Sequence, residues 1–352
     1  MKNTLKKLAL VMMMLLLAVG VCACGSEEST EDTEDTTAVQ SDVGTIAREG
    51  SGLNLLTGLD TLSEEAVGKR PVAVMVNNIQ DAFPQYGVAQ ADIIFEILVE
   101  GNQTRFMALY GDYTQVPQVC SVRSARKYFG SLAKGFDAVY VNWGMAEAIR
   151  PYIKSLKLTH FDGASDSNGL FARDKDRQAA GYALEHTGYF DGTKLADVLD
   201  SQDVDMNVKE DKTVFLFNEA PIAPQGKECT SVTIEFGAAT AGFTYNEETG
   251  TYFKTHNGKA QMDGKTETQL EFTNVIVLET AVMTDPNGTH KMLNWYNGEG
   301  YYISNGVVQE IKFSKDSESS PLVLFDLDGN ELAINPGKTY ISMNDFDKTT
   351  LK

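Results

Sequence analysis

Charged and amide side chains cluster between residues 77 and 126, at the ends of runs that are otherwise apolar. Arg123 and Arg126 are three positions apart, so they share one side of the helix that is predicted to begin beside them. The N-terminus of a helix adds free N–H groups and positive potential. Such a corner is suited to hold a carboxylate or a phosphate. The candidate ligand-binding residues are Asn77, Asn78, Glu96, Glu100, Arg105, Arg123, Ser124, Arg126 and His186.

Three interpretations of this cluster stay open from the sequence. The glutamates and arginines could pair with one another, because charges inside a sheet are tolerated only when paired. They could instead line a ligand-binding cleft. They could also perform hydrolysis of wall glycans, with Glu96 or Glu100 as acid or base and the arginines stabilising an oxyanion. Glu96 and Glu100 are four positions apart, so on one strand they would share a face.

His186 is the one histidine whose surroundings suggest a place in this site, since Arg173, Asp174 and Arg177 precede it closely. A single histidine is more often a hydrogen-bonded structural residue than a catalytic one. The sequence therefore gives His186 a candidate binding role only.

Motifs for nucleotides and metals are incomplete. Residues 264–266 and 337–339 read Gly-Lys-Thr but lack the first glycine of a phosphate-binding loop. Residues 326–330 resemble a calcium loop without its downstream glutamate. No cysteine and histidine cluster has zinc spacing, so we expect neither a metal nor a cofactor. Cys120 and Cys229 lie in separate segments and are expected to be buried free thiols.

The charge balance excludes one class of partner. The formal net charge is −19 at pH 7. Nucleic-acid binding needs a basic surface, so we expect no nucleic-acid partner.

The N-terminal residues predict lipid anchoring. Three lysines precede an apolar run over residues 8–21, which is too short to span a bilayer and fits a signal peptide over residues 1–23. The run ends in Val-Cys-Ala-Cys, which resembles a lipobox with Cys24 as the lipidated residue. Residues 24–50 are acidic and lack aromatic side chains, so they are predicted to form a disordered tether. The expected location is the outer face of the cytoplasmic membrane, where the lipid on Cys24 makes the membrane a partner.

The remaining chain predicts an α+β protein with an N-terminal α/β layered domain over residues 51–222. Apolar strand-like runs alternate there with helical patterns. The predicted strands cover residues 71–77, 91–100, 105–110, 137–142 and 213–217. The predicted helices cover residues 124–134, with Ser124 as N-cap, then 145–157 and 192–201.

Residues 223–352 predict a β-rich C-terminal domain. Short alternating runs recur between turn signals such as Asn305-Gly306. We expect an antiparallel sheet or a β-sandwich. The join contains two prolines and no periodicity, which places the predicted boundary near residue 222.

The chain resembles the YerB-like lipoprotein family, a domain of unknown function (3048) with N- and C-terminal domains. The resemblance rests on residues 70–78 (RPVAVMVNN), 90–96 (QADIIFE), 99–101 (VEG), 104–106 (TRF), 122–126 (VRSAR), 274–277 (NVIV), 300–306 and 335–340 (NPGKTY). It implies a lipoprotein with an α/β domain followed by a β-rich domain, and it gives no catalytic residues. Members often carry Ala-Pro-His-Asn near the histidine, where this chain has ALEHT at residues 183–187.

These observations predict an envelope lipoprotein that binds rather than catalyses. Its expected partner is a cell-wall component or a membrane protein of wall synthesis. One alternative is a solute-binding lipoprotein with a cleft for an anionic ligand. The other is the carboxylate-dependent hydrolase.

Overall fold

The computed structural model describes residues 52–209, 215–286, 288 and 290–352. The predicted signal peptide, the lipidation of Cys24 and the acidic tether lie outside the described residues. The helices are α1 (Lys127–Gly135), α2 (Arg150–Ser155), α3 (Lys175–Ala179) and α4 (Leu195–Ser201). Among the described residues, no helix combines the length and apolarity needed to cross a membrane.

The strands before residue 220 are β1 (Leu53–Asn54), β2 (Leu59–Asp60), β3 (Val72–Asn77), β4 (Ile93–Leu98), β5 (Thr104–Tyr110), β6 (Gln118–Cys120), β7 (Val139–Asn142), β8 (His160–Asp162), β9 (Phe171–Arg173), β10 (Gly188–Asp191) and β11 (Leu216–Phe217). The later strands are β12 (Lys227–Glu228), β13 (Ser231–Glu235), β14 (Thr240–Asn246), β15 (Thr251–His256), β16 (Lys259–Ala260), β17 (Glu271–Phe272), β18 (Asn274–Glu279), β19 (Val282–Thr284), β20 (Lys291–Leu293), β21 (Asn297–Ser304), β22 (Val307–Ser314), β23 (Val323–Phe325), β24 (Ala333–Ile334), β25 (Thr339–Asn344) and β26 (Thr349–Leu351).

A mixed sheet of 11 strands forms the centre of the described structure. Its order is β12-β22-β21-β18-β25-β4-β5-β3-β7-β8, and β23 also pairs with β22. Strands β3, β7 and β8 run parallel to one another, with α1 and α2 in the connections between them. Because their side chains are almost all buried, β3, β4 and β7 read as continuous apolar runs, which is why the sequence predicted them.

Two apolar layers cover the faces of this sheet. On one face, α1 and α2 pack through Phe129, Leu132 and Ile153. On the other face lies a second, antiparallel sheet in the order β16-β15-β14-β13-β26, with β17 also paired to β15. Ile234 and Phe243 of that sheet belong to the same buried cluster as β3 and β18. The fold is therefore α+β and rich in strands.

The expectation of a purely antiparallel second half is wrong for β25. This strand lies between β18 and β4 and is parallel to both. All six of its residues are buried, and parallel strands occur where both faces of a sheet are covered. The 11-stranded sheet thus contains strands from before and after residue 222, and the domain boundary predicted there stays a prediction.

The predicted start of the first helix is also wrong, because Arg126 and not Ser124 is its N-cap. The N–H of Arg123 donates to the carbonyl of Met75, and the N–H of Ala125 donates to that of Gly144. These bonds hold residues 123–125 against neighbouring segments, so the chain can coil only after Arg126.

Candidate functional site

The predicted site residues separate onto opposite faces of the 11-stranded sheet. In the register of β4 and β5, Glu96 pairs with Phe106 and Ile97 pairs with Arg105. Successive side chains of a strand point to opposite faces. Glu96 therefore faces the antiparallel sheet, whereas Arg105 faces the side covered by α1. Glu100 follows β4 in a 3-10 turn, so the two glutamates do not share a strand.

Glu96 lies at the centre of a sealed polar network between the two sheets. Asn78 and Thr104 each donate to its Oε1 at 2.7 Å. The hydroxyl of Tyr340 donates to Oε2 at 2.8 Å, and Nζ of Lys254 lies 3.1 Å from that same oxygen. The side chains of Glu96 and Lys254 are fully buried. Each carboxylate oxygen thus has two partners.

The rest of this buried network is equally complete. Gln85 and Gln261 donate to Oδ1 of Asn78 at 2.9 and 2.8 Å. Lys254 donates to Oε1 of Gln261 at 2.8 Å. Burial lowers the pKa of Lys254, and the charge of Glu96 opposes that shift. Asn78 and Glu96 accordingly have no free group to offer a ligand. We call Asn78, Gln85, Glu96, Thr104, Lys254, Gln261 and Tyr340 the buried network.

Most of the buried network was not predicted, although Lys254 had a signal. It occupies an inward position of β15, between the buried Tyr252 and His256. A lysine on the apolar side of a strand needs a buried anion, and that requirement points to a fully buried glutamate.

The predicted arginines come together at the carboxyl ends of parallel strands. Residues 121–126 cross this edge beside the ends of β3 and β7, and the crevice outside such strand ends is where open α/β sheets bind ligands. NH1 of Arg105 donates to the carbonyl of Ser124 at 2.6 Å. NH1 of Arg126 donates to the carbonyls of Ala125 and Ser124, at 2.6 and 3.4 Å. We call Arg105, Arg123, Ser124 and Arg126 the arginine corner.

Arg105 is the most buried cation of the corner. It is 6 % exposed, and its buried Nε has no hydrogen-bond acceptor. Among the described residues, no carboxylate oxygen lies within 4.0 Å of its guanidinium. Burial, followed by the charges of Arg126 and Arg123, lowers the pKa of Arg105 to about 9. At neutral pH it stays charged, in a place that would be stabilised by an added anion.

Arg126 is held firmly by a carboxylate. Both of its donor atoms Nε and NH2 bind the carboxylate of Glu100, Nε at 2.7 Å from Oε1. This is the bidentate geometry in which arginine and carboxylate pair most strongly. Burial alone would raise the pKa of Glu100, but the hydrogen bond and charge of Arg126 outweigh it and hold the pKa below its usual value.

Arg123 has a looser partner. Its NH1 lies 3.7 Å from Oε2 of Glu185, beyond hydrogen-bond distance. The side chain of Arg123 is 25 % exposed, and its Nε is buried without an acceptor. The corner therefore contains three arginines against two carboxylates, and two of the arginines have an unused Nε donor.

The N-terminus of α1 adds backbone donors to the corner. This helix has nine residues and no side-chain cap at Arg126. The first N–H groups of a helix lack internal acceptors and carry partial positive charge. Tyr140 is buried close by: burial raises its pKa, whereas the charges of Arg105 and Arg126 lower it. An anion at this place would meet guanidinium groups and helix N–H groups together.

Asn77 and His186 form a separate contact. The amide nitrogen of Asn77 lies 3.1 Å from Nδ1 of His186, so the amide donates and the neutral ring carries its proton on Nε2. Burial lowers the pKa of His186, which keeps it neutral near pH 7. NH1 of Arg177 donates to the carbonyl of His186 at 3.1 Å. These hydrogen bonds are the arrangement expected of a structural histidine, and the binding role of His186 stays a prediction.

The other neighbours of His186 also have structural contacts. Arg177 is 2 % exposed and also donates to the carbonyls of Ala82 and Pro84. Arg173 lies over the ring of Trp143, 4.2 Å from its centroid. Both cysteines predicted to be buried thiols are free and buried. Within the described ranges, no group of three or more His, Cys, Asp or Glu side chains could hold a metal ion.

Comparisons with known proteins agree with the architecture. The chain is 28 % identical over 296 residues to a Bacillus subtilis (strain 168) protein named "Putative lipoprotein YerB", covering 82 % of this chain and 85 % of the relative. The crystal structure of the Bacillus subtilis YerB protein matches with a TM-score of 0.74 at 25 % identity, covering 84 % of this chain and 98 % of that chain.

Family models match both halves of the chain. Residues 56–205 match the N-terminal domain of a protein of unknown function (DUF3048), and residues 232–341 match its C-terminal domain. These matches confirm the resemblance that the sequence motifs predicted. This chain belongs to the DUF3048 family, with both of its domains present.

Proposed function

We propose that this protein is a lipid-anchored binding protein of the cell envelope that captures an anionic group of a cell-wall component in its arginine corner. The observation that carries the proposal is Arg105. A buried guanidinium without a carboxylate partner is costly, and an arriving anion removes that cost. The buried Nε of Arg105, which has no acceptor, supplies a donor for it.

The electrostatics of the chain support a specific site. With a formal net charge of −19, the protein repels anions in general. An anion that binds must therefore find a local excess of positive charge. The corner supplies that excess, because the carboxylates that pair with its three guanidinium groups within the described part of the chain are those of Glu100 and Glu185. Partial burial also reduces screening by salt, which would weaken an exposed site.

The predicted anchor supports the location of the ligand. A lipid on Cys24 would hold the folded part outside the membrane, where wall polymers and their precursors are the abundant anions. The relative named as a lipoprotein is similar over most of its length. Muropeptides carry carboxylates and teichoic acids carry phosphodiesters, and arginine binds both groups bidentately.

The two alternatives have less support in the geometry. Solute capture commonly uses a cleft between two lobes, whereas strands from both halves of this chain share the sheet of 11 strands. Hydrolysis would use Glu96 or Glu100. Glu96 is sealed by four partners, and the carboxylate of Glu100 is occupied by Arg126.

Calorimetric titration of the full chain, purified in detergent, tests the proposal. The probes are muropeptides released from peptidoglycan, the same muropeptides with their carboxyls amidated, and purified teichoic acid. We expect one of the two anionic probes to bind and Arg105→Met to weaken that binding at least tenfold. If muropeptides bind, their amidated form should not.

The matched control is Arg150→Met. Arg150 is an exposed arginine paired with Glu147 on the surface, so this variant removes the same charge away from the corner. It should bind like the unmodified chain. Equal binding by Arg105→Met, or no heat with either anionic probe, would refute the proposed function.

A further inference from the structure

We propose that Glu185 is an intramolecular competitor for the arginine corner, which occupies the place of the ligand's carboxylate until the ligand displaces it. The inference rests on the proposed function and deepens it. It names a carboxylate as the group that the corner takes, and it assigns to Glu185 the control of affinity.

Glu100 and Glu185, the two carboxylates beside the arginine corner, differ in how tightly they are held. Glu100 binds Arg126 with both oxygens, and its side chain is 26 % exposed. Glu185 approaches Arg123 only to 3.7 Å, and its side chain is 56 % exposed. The other basic group near it is His186, whose Nε2 lies 3.6 Å away and whose pKa is lowered by burial, so that the ring is neutral near pH 7. Among the described residues, the carboxylate of Glu185 accepts no hydrogen bond.

The backbone beneath Glu185 is fixed. Arg173 donates to the carbonyl of Leu184 at 2.5 Å, and Ser121 donates to that of Glu185 at 3.4 Å. Arg177 donates to the carbonyl of His186 at 3.1 Å. The side chain of Glu185 can therefore turn away from Arg123 without any movement of the main chain.

Arg123, the arginine beside Glu185, has an unused donor. Its buried Nε has no acceptor, like the Nε of Arg105. A ligand carboxylate that displaced Glu185 would take its place beside the guanidinium of Arg123. Of the two carboxylates, Glu185 has the weaker contacts and the more exposed side chain. Moving it away from its arginine therefore requires less free energy than moving Glu100.

The ligand group follows from this exchange. Glu185 and Glu100 show that the corner accepts planar carboxylates beside Arg123 and Arg126. A carboxylate that replaces Glu185 keeps the charge balance near Arg123. Placed closer than 3.7 Å, it would gain the short charge-assisted hydrogen bonds that Glu185 lacks.

The test compares muropeptide affinity in Glu185→Gln and in the unmodified full chain by calorimetry. An exposed ion pair contributes up to about 1 kcal/mol, so removing this competitor should tighten binding by about two- to fivefold. In an Arg123→Met background, Glu185→Gln should give no gain, because the carboxylate then has no arginine to block.

The matched control is Glu147→Gln, which removes one negative charge from an exposed pair elsewhere on the chain. It separates competition at the corner from the change in net charge, and its affinity should equal that of the unmodified chain. Affinity in Glu185→Gln that equals this control, or falls below it, would overturn the competitor role while leaving the proposed function standing.

Two further outcomes separate the two proposals. Binding of teichoic acid without binding of muropeptides would refute the carboxylate assignment and retain an anion-binding function. If neither probe binds the unmodified chain, Glu185→Gln or Glu147→Gln, the proposed function fails and the competitor role fails with it.

Discussion

The buried network and the arginine corner share strand β5, through Thr104 and Arg105, yet their charges are balanced differently. In the buried network, Glu96 and Lys254 neutralise each other, and hydrogen bonds from amides and hydroxyls use the remaining oxygen positions. In the corner, three guanidinium groups meet two carboxylates, and Arg105 has neither a carboxylate nor an acceptor for its Nε. The difference separates charges that are fully paired from charges that leave donors unused, and it is the basis for proposing ligand binding at the corner.

This contrast also bears on the interpretations that the sequence left open. Glu96 is paired with a lysine of the other sheet, which lies outside the predicted cluster. Mutual pairing describes Glu100 and Arg126. It fails for Arg105, which is why a binding function remains the stronger proposal at the corner.

The largest expected effect comes from breaking the buried network. Lys254→Met leaves the carboxylate of Glu96 buried without a counter-charge, so we expect a loss of about 3–5 kcal/mol in the free energy of unfolding. Urea unfolding followed by circular dichroism measures it. Adding Glu96→Gln should restore much of the loss, and Lys154→Met on the surface of α2 should barely change stability. A loss below about 1 kcal/mol would show that the network is not sealed.

Arg105→Met should change the stability of the fold little and ligand affinity strongly. Removing an unpaired buried charge offsets the lost bond to the Ser124 carbonyl, so the free energy of unfolding should change by less than about 1 kcal/mol. Ligand affinity should nevertheless fall at least tenfold. Urea unfolding and calorimetry on the same preparation check both parts. Destabilisation as large as in Lys254→Met would mean that Arg105 is a structural residue.

Glu100→Gln should have an intermediate effect that depends on pH. Because the pKa of Glu100 is lowered in the folded state, its contribution is present above its ordinary value of 4.5 and disappears as the pH falls through the lowered value. At pH 7 we expect a loss of about 1–3 kcal/mol, typical of hydrogen bonds to charged groups.

Unfolding at a series of pH values from neutral to acid would reveal this behaviour. The curves of Glu100→Gln and of the unmodified chain should converge at low pH. Glu147→Gln, in an exposed pair, should show a much smaller difference. A difference that persists unchanged in acid would contradict the ionised pairing of Glu100 with Arg126.

The strands that position the site were predictable, but their partners were not. Continuous apolar runs marked β3, β4 and β7, and Asn305-Gly306 marked the turn between β21 and β22, where both residues have positive φ. The pairing of β25 with β4 joins residues 246 positions apart, and local periodicity contains no information about such a contact. Strand β14 does not stand out in the sequence, because threonine, alanine and glycine weaken its alternation.

The residues of the site, like the strands, were predictable only in part. The arginines of the corner were found because two charges three positions apart beside a strand and a helix form a recognisable pattern. The separation of Glu96 from Arg105 was not, since it depends on the register of β4 against β5. Glu185 was not singled out, because only the fold brings the turn at residues 184–186 beside Arg123.

The most direct measurement of the central claim is a crystal structure of the protein grown with the muropeptide that binds in calorimetry. The account predicts density for its carboxylate against Arg105, Arg123 and the start of α1, with Glu185 turned away from Arg123. Ligand density elsewhere, with Glu185 still beside Arg123 and the corner unchanged, would contradict it.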